Sequence, residues 1–206
     1  ADIERTSMAI ITQELAAAGI ELPPQHAAVV KRVIHTTADF DYAENLAFSP
    51  DVIEQAKAAL CNGATIVTDT NMALSGISKP SLTKLGAKAL CLMADPDIAR
   101  EAKERGVTRA VVSMEHAARL DGPLIFAVGN APTALIRLHE LIGKDEVKPA
   151  LVIGVPVGFV NVVEAKELFI GGKTPYIIAR GRKGGSNVAA AIVNALLYQL
   201  IRREGF

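Results

Sequence analysis

The chain has 206 residues, half of them hydrophobic, with no tryptophan and few aromatics, and its 22 acidic and 22 basic residues cancel. That length can bury an aliphatic core without staples, and the charge balance excludes a general electrostatic affinity for nucleic acid or an anionic membrane, so any anion binding must be local. Cys61 and Cys91 stand apart in apolar surroundings with no CxxC, no His/Cys metal spacing and no secretory signal, which predicts reduced core thiols, no metal site and a cytoplasmic location.

In chain order, Ile3, Met8, Ile10, Ile11 and Leu15 recur at helical spacing up to Gly19, a natural stop. Pro23-Pro24 restarts the chain, and Ala27, Val30, Val33 and Ile34 form the apolar stripe of a second helix ending at His35. Arg32 and His35 lie three apart on it and project from one face, where the cation disfavours a protonated imidazole and keeps a base-competent ring. A histidine at such a helix end is otherwise a cap or a half-buried core residue. Ser49-Pro50-Asp51 reads as the cap of a third helix that Asn62-Gly63 stops.

The period then changes. ATIVTD (64–69), AKALCLM (87–93), LIFAV (124–128), ALVIGV (150–155) and YIIA (176–179) are short apolar runs separated by helical segments. Continuous apolar strands alternating with helices predict a three-layer α/β/α domain around a five-stranded parallel sheet. One domain over 1–206 is expected, with leading helices over 1–62 and a sheet-containing core over 63–206. Residues 184–201 are uncharged, but Ser186, Asn187, Asn194 and Gln199 make them a poor membrane span and predict a buried or subunit-facing helix.

Open parallel sheets bind ligands beyond the carboxyl ends of their strands, and there the polar residues gather. The first strand runs into Asp69-Thr70-Asn71, the third into GNAPTA (129–134), the fourth into PVGFV (156–160) and the fifth into RGRKGGS (180–186). Asn130 is positioned to cap the helix that Pro132 begins, leaving free N–H groups for an anion. Arg180, Arg182 and Lys183 precede a helix starting near Ser186, where a carboxylate or phosphate fits. Taken singly, such a cap or Arg/Lys-Gly run is ordinary loop chemistry. GRKGGS lacks P-loop spacing, no GxGxxG follows the first strand, no GxSxG exists, and His26, His116 and His139 show no ligand spacing. The residues alone therefore predict a binder of a small polyanion with His35 as leading acid or base.

IERTSMAII, RVIHTTADFDYAENLAFSP, TIVTDTNMALSGI, GNAPTAL, PVGFVNVVEAKE and RGRKGGSNVAAAIVNAL, in this order across the chain, resemble the precorrin-8X methylmutase family, with HTTADF and TDTNMALSGI closer to its cobalt-precorrin-8 branch. The resemblance implies a flavodoxin-like fold and a cofactor-free isomerase of cobalamin biosynthesis. Such an enzyme moves a methyl group from carbon 11 to carbon 12 of ring C of a corrinoid polycarboxylate, working as a homodimer. It makes His35 the proton donor or acceptor and Arg32 a substrate contact, and Ser7 matches the serine of the leading motif. Thr6 stands where that motif has arginine and Met8 where it has an aromatic, so Arg5 is the substitute cation. Loops and resemblance together give the expected substrate-binding set: Arg32, Ser7, Arg5, Thr36, Asn71, Asn130, Thr133, Arg180, Arg182 and Ser186. A non-catalytic corrinoid carrier would need the loops but not His35, and a phosphate-binding domain would need the missing motifs.

Overall fold

The computed structural model describes residues 2–201, so residue 1 and residues 202–206 of the expected 1–206 domain lie outside the described residues. The chain opens with α1 (Asp2–Ala17), α2 (Pro24–Thr37), α3 (Tyr42–Asn45), β1 (Leu46–Phe48) and α4 (Val52–Cys61). There follow β2 (Thr65–Thr68), α5 (Asn71–Gly76), α6 (Lys79–Leu85), β3 (Lys88–Leu90), α7 (Pro96–Arg105) and α8 (Arg109–Ala117). The remainder is β4 (Leu124–Val128), α9 (Pro132–Gly143), β5 (Leu151–Gly154), α10 (Val162–Glu167), β6 (Tyr176–Ala179) and α11 (Ser186–Leu200).

The sheet has six strands in the order β1-β6-β5-β4-β2-β3, and β1 runs antiparallel to β6 while the other neighbours are parallel. This corrects the five-stranded, all-parallel expectation. β1 comes from the LAF of NLAFSP, registering Leu46 on Ala179 and Phe48 on Ile177. Ser49, expected to cap α4, works for the sheet instead: its Oγ accepts the Tyr176 N–H at 2.8 Å, and Asp51 precedes α4 without a side-chain cap.

Alternation along the buried strands sorts side chains to two faces. In β4, Ile125 and Ala127 join the core under α1, α2, α4 and α11, while Leu124, Phe126 and Val128 join the core under α8 and α9. α11 packs on α2, α4, α5, α6, β4 and β5, so its apolar surface is covered within the chain because a parallel sheet needs such a cover. The subunit-facing alternative for this helix loses its motive. Cys61 is exposed and Cys91 half-buried, both free; they are not core thiols. Among the described residues no helix is long and apolar enough to cross a membrane.

Candidate functional site

From β2 the chain passes to β3, crosses back over β2 to β4, and then proceeds outward through β5 and β6. The direction reverses between β2 and β4, which places a crevice at the carboxyl ends of those strands. Contacts tie four loops together there. The Thr70 and Ser186 hydroxyls meet at 2.7 Å, joining the β2 and β6 ends. Gly185 N–H donates to Val155 O at 2.8 Å, joining the β6 and β5 ends. Gly129 lies so close to Ser186 that a Cβ on it would meet the serine Cα at 2.7 Å, so only glycine fits.

The start of α9 is not open to an external anion. Asp69, 1% exposed, accepts the N–H groups of Gly129, Asn130 and Ala131 at 2.9, 2.8 and 2.7 Å. This corrects the Asn130 cap: α9 has Ala131 at its N-cap with no side-chain cap bond, and the carboxylate of Asp69, just past β2, fills the seat. Burial pushes the Asp69 carboxyl up, against the pull of the three N–H groups.

The loop between β6 and α11 is held in the opposite sense. Lys166 of α10, 0% exposed, donates from Nζ to the carbonyls of Gly181 and Lys183, each at 2.9 Å, and Gly158 N–H donates to the carbonyl between them, that of Arg182, at 3.1 Å. Burial pushes the Lys166 ammonium down to about 8. Of the loop's cations, Arg180 is paired with Glu167 at 2.9 and 2.7 Å, and Lys183 bridges Asp39 and Asp41 at 2.6 Å each. That bridge holds the Asp39 carboxyl below its usual range and raises Lys183. Arg182 forms no salt bridge among the described residues; its guanidinium lies 5.3 Å from the ring centroid of Phe159, which is 81% exposed.

Asp39 and Asp41 follow directly on the helix that carries His35, so the Lys183 bridge joins that segment to the β6–α11 loop. α2 ends where Ala38 turns left-handed, at φ 54°, and His35 sits exposed in its last turn. Arg32 does not serve as the free cation expected beside it: its guanidinium pairs with Glu4 and lies 5.2 Å from the Tyr198 ring centroid. Thr36 donates its hydroxyl to Arg32 O, Ser7 to Ile3 O, and Arg5 pairs with Asp2. Asn71 and the Asn130 side chain are exposed at the crevice, while Thr133 turns its hydroxyl to Thr108 at 3.3 Å. The structure thus gathers Asn71, Asn130, Arg182 and Ser186 around the strand ends, with His35 on the linked segment, and sets Arg5 and Ser7 on α1.

Sequence reasoning passed over Lys166, and named Asp69 and Lys183 only as members of their loops, outside the expected substrate-binding set. Lys166 had a signal: with Val162, Ala165 and Phe169 it completes an i, i+3, i+4, i+7 apolar stripe. At the strand ends Val157, Phe159 and Val160 stand exposed. A cavity of about 530 Å³ lined by Val147, Lys148, Pro149, Lys173 and Pro175 lies instead where β5 and β6 begin. Among the described residues, no three His, Cys, Asp or Glu gather as a metal cluster.

Residues 2–199 match the family described as precorrin-8X methylmutase. The cobalt-precorrin-8 methylmutase of Salmonella typhimurium is 50% identical over 178 residues, covering 86% of this chain and 83% of that protein. The precorrin-8X methylmutase of Pseudomonas aeruginosa is 41% identical, covering 94% and 93% respectively. The crystal structure of precorrin-8x methyl mutase from Thermus thermophilus aligns with a TM-score of 0.86 at 38% identity, covering 96% of each chain.

Proposed function

The chain belongs to the precorrin-8X methylmutase family, and from that membership we propose that its His35 moves the proton that accompanies methyl migration on cobalt-precorrin-8. The protein is an isomerase of cobalamin biosynthesis. Within that activity, we assign the transfer from carbon 11 to carbon 12 of ring C, giving cobyrinate. The relative at 50% identity, named for the cobalt substrate, supports the cobalt branch; the relative at 41% named for precorrin-8X supports the metal-free substrate as a second reading, with hydrogenobyrinate as product. Offering the purified protein each substrate and following the absorption spectra decides between them, and conversion of the metal-free one alone overturns the assignment.

One observation carries the role of His35. It is an exposed imidazole in the last turn of α2, on the segment that Lys183 ties through Asp39 and Asp41 to the β6–α11 loop. A methyl shift within one molecule needs a fixed substrate conformation and a well-placed proton rather than an external nucleophile. No atom enters or leaves overall, so a proton that His35 gives up in one step is regained before the next turnover. The peripheral acetates and propionates meet cations and N–H groups at the rim, with Arg182 foremost because it has no protein carboxylate to displace. Arg32 and Arg5 join this set by exchanging a protein carboxylate for a substrate one, whereas Arg180 keeps Glu167 and frames the loop; Ser7, Thr36, Asn71, Asn130, Thr133 and Ser186 join by hydrogen bonds.

Replacing His35 with alanine is expected to lower kcat by about 10²- to 10⁴-fold while cobyrinate still binds. Turnover at the parent rate would remove His35 from the mechanism, and a parent protein that binds cobyrinate but never converts substrate would leave a carrier.

The order of the five mutually parallel strands supports a flavodoxin-like reading, within one domain over 1–206 in the cytoplasm. We take the active form to be a homodimer: Met72, Val157, Phe159 and Val160 stand exposed around the rim of the crevice, the last two at 81% and 77%, and a second copy would supply its missing wall. Light scattering at micromolar concentration giving the mass of one chain would overturn this.

A further inference from the structure

We propose that Lys166 is a positioning residue for corrinoid recognition, holding the carbonyls of Gly181 and Lys183 inward so that Arg182 between them is presented at the rim. The inference rests on the reading of this loop as a carboxylate clamp. Three consecutive carbonyls of a surface loop are taken up by protein donors: those of Gly181 and Lys183 accept from the buried Lys166 ammonium at 2.9 Å each, and that of Arg182 from Gly158 N–H of the neighbouring loop at 3.1 Å. Carbonyl oxygens at a rim would repel a carboxylate. Taken up by protein donors, they are kept from the ligand beside the cationic side chain.

The ammonium that achieves this is fully buried and has neutral partners. Burying a cation with no carboxylate beside it disfavours the folded state, and an apolar residue of similar length in such a place is often as stable or more so. A lysine there is therefore better explained by what it shapes than by stability. The neighbouring charges agree. Arg180 is occupied by Glu167 and Lys183 by Asp39 and Asp41, so among the described residues the one loop cation without a carboxylate is Arg182, which stands between the two carbonyls that Lys166 holds. Fixing its backbone on both sides fixes where its guanidinium starts from, which reduces the freedom lost when a carboxylate binds.

The test is the dissociation constant for cobyrinate, a stable corrinoid polycarboxylate, in the parent, Lys166→Met, Arg182→Ala and the double variant, with thermal unfolding of each. Lys166→Met should bind about tenfold more weakly, the scale of losing hydrogen bonds from a charged donor, with its unfolding temperature within a few degrees of the parent. In the Arg182→Ala background the same change should cost under about twofold, because contacting groups couple and independent ones add. Lys166→Arg, which keeps charge and donors, should recover part of the lost affinity, and it carries the comparison if Lys166→Met does not fold. Parent-like cobyrinate binding by Lys166→Met, or losses that simply add in the double variant, would overturn the role of Lys166. Parent-like binding by Arg182→Ala would instead overturn the carboxylate-clamp reading beneath it.

Discussion

After β4 the chain turns over a buried carboxylate, and after β6 it turns over a buried ammonium. Asp69 collects three backbone N–H groups from residues 129–131, and Lys166 collects the carbonyls of residues 181 and 183. Both loops precede a helix on the same sheet edge, and both look from sequence like anion sites. They differ in which half of the peptide unit the protein has already used. Where the N–H groups are taken, the start of the helix is closed to an anion; where the carbonyls are taken, the positive side of the loop stays outward. On the proposed reading, recognition falls to the β6 side of the crevice and scaffolding to the β4 side.

The sharpest way to break this contrast is to empty the Asp69 seat. Asp69→Ala leaves three N–H groups without their acceptor, and hydrogen bonds to a charged group are each worth about 1.5–3 kcal/mol. We expect a loss of about 3 kcal/mol, seen as a fall of roughly 6–12 °C in unfolding temperature for a chain of this size. Added sulfate should then restore part of it by occupying the vacated helix start, and should do so more than in the parent. An unchanged unfolding temperature would show that the carboxylate does not hold this loop.

A smaller effect tests the other side. Burial lowers Lys166 to about 8 in the folded chain, against an ordinary 10.5. Below 8 both folded and unfolded chains carry the proton, and this group adds no pH dependence. Between about 8 and 10.5 the unfolded chain binds more, so its contribution makes stability rise with pH, by at most about 3.4 kcal/mol at 1.36 kcal/mol per unit. Urea unfolding at pH 7.5 and 9.5 should reveal that rise as a difference between the parent and Lys166→Met. Lys166 takes no part in the ion pairs nearby, Lys183 with Asp39 and Asp41 and Arg180 with Glu167. Parallel pH profiles would mean that the ammonium is not desolvated.

The smallest expected effect separates two arginines of one loop. Arg182→Lys keeps the charge but loses the planar fork, and cobyrinate binding should weaken about three- to tenfold. Arg180→Lys acts on a guanidinium already paired with Glu167 in an exposed setting, where pairs are worth about 0–1 kcal/mol. Its affinity should stay within about twofold of the parent. The reverse ranking, from titrations at two salt concentrations, would move the clamp to Arg180.

How much of this was legible in the sequence follows from the range of the interactions. The five parallel strands announce themselves because burial on both faces makes each a continuous apolar run, as in LIFAV. β1 does not: three residues are too few to display a period, and its partner strand begins 127 residues beyond Ser49, whose side chain secures the join. Asn130 is the local candidate to cap α9, yet the acceptor comes from a residue 60 positions before Gly129, and only the strand order brings it there. Arg32 and His35 share a helix face as the spacing predicts, but Glu4 from another helix takes the guanidinium. Lys166 was visible as a charge in an apolar stripe; its carbonyl partners, 15 and 17 residues on, were not.

The antiparallel join of β1 to β6 also sets a clock. Leu46 pairs with Ala179, so the strand that follows the His35 segment waits through about 130 residues of synthesis for its partner. At about 5–20 residues per second that interval is on the order of ten seconds. Lys183 and Ser186 emerge later still, and the contacts they make to Asp39, Asp41 and Thr70 can form only then. The proposed rim is therefore among the last parts of the nascent chain to exist, and a ribosome that stops short of β6 releases helices and strands without it.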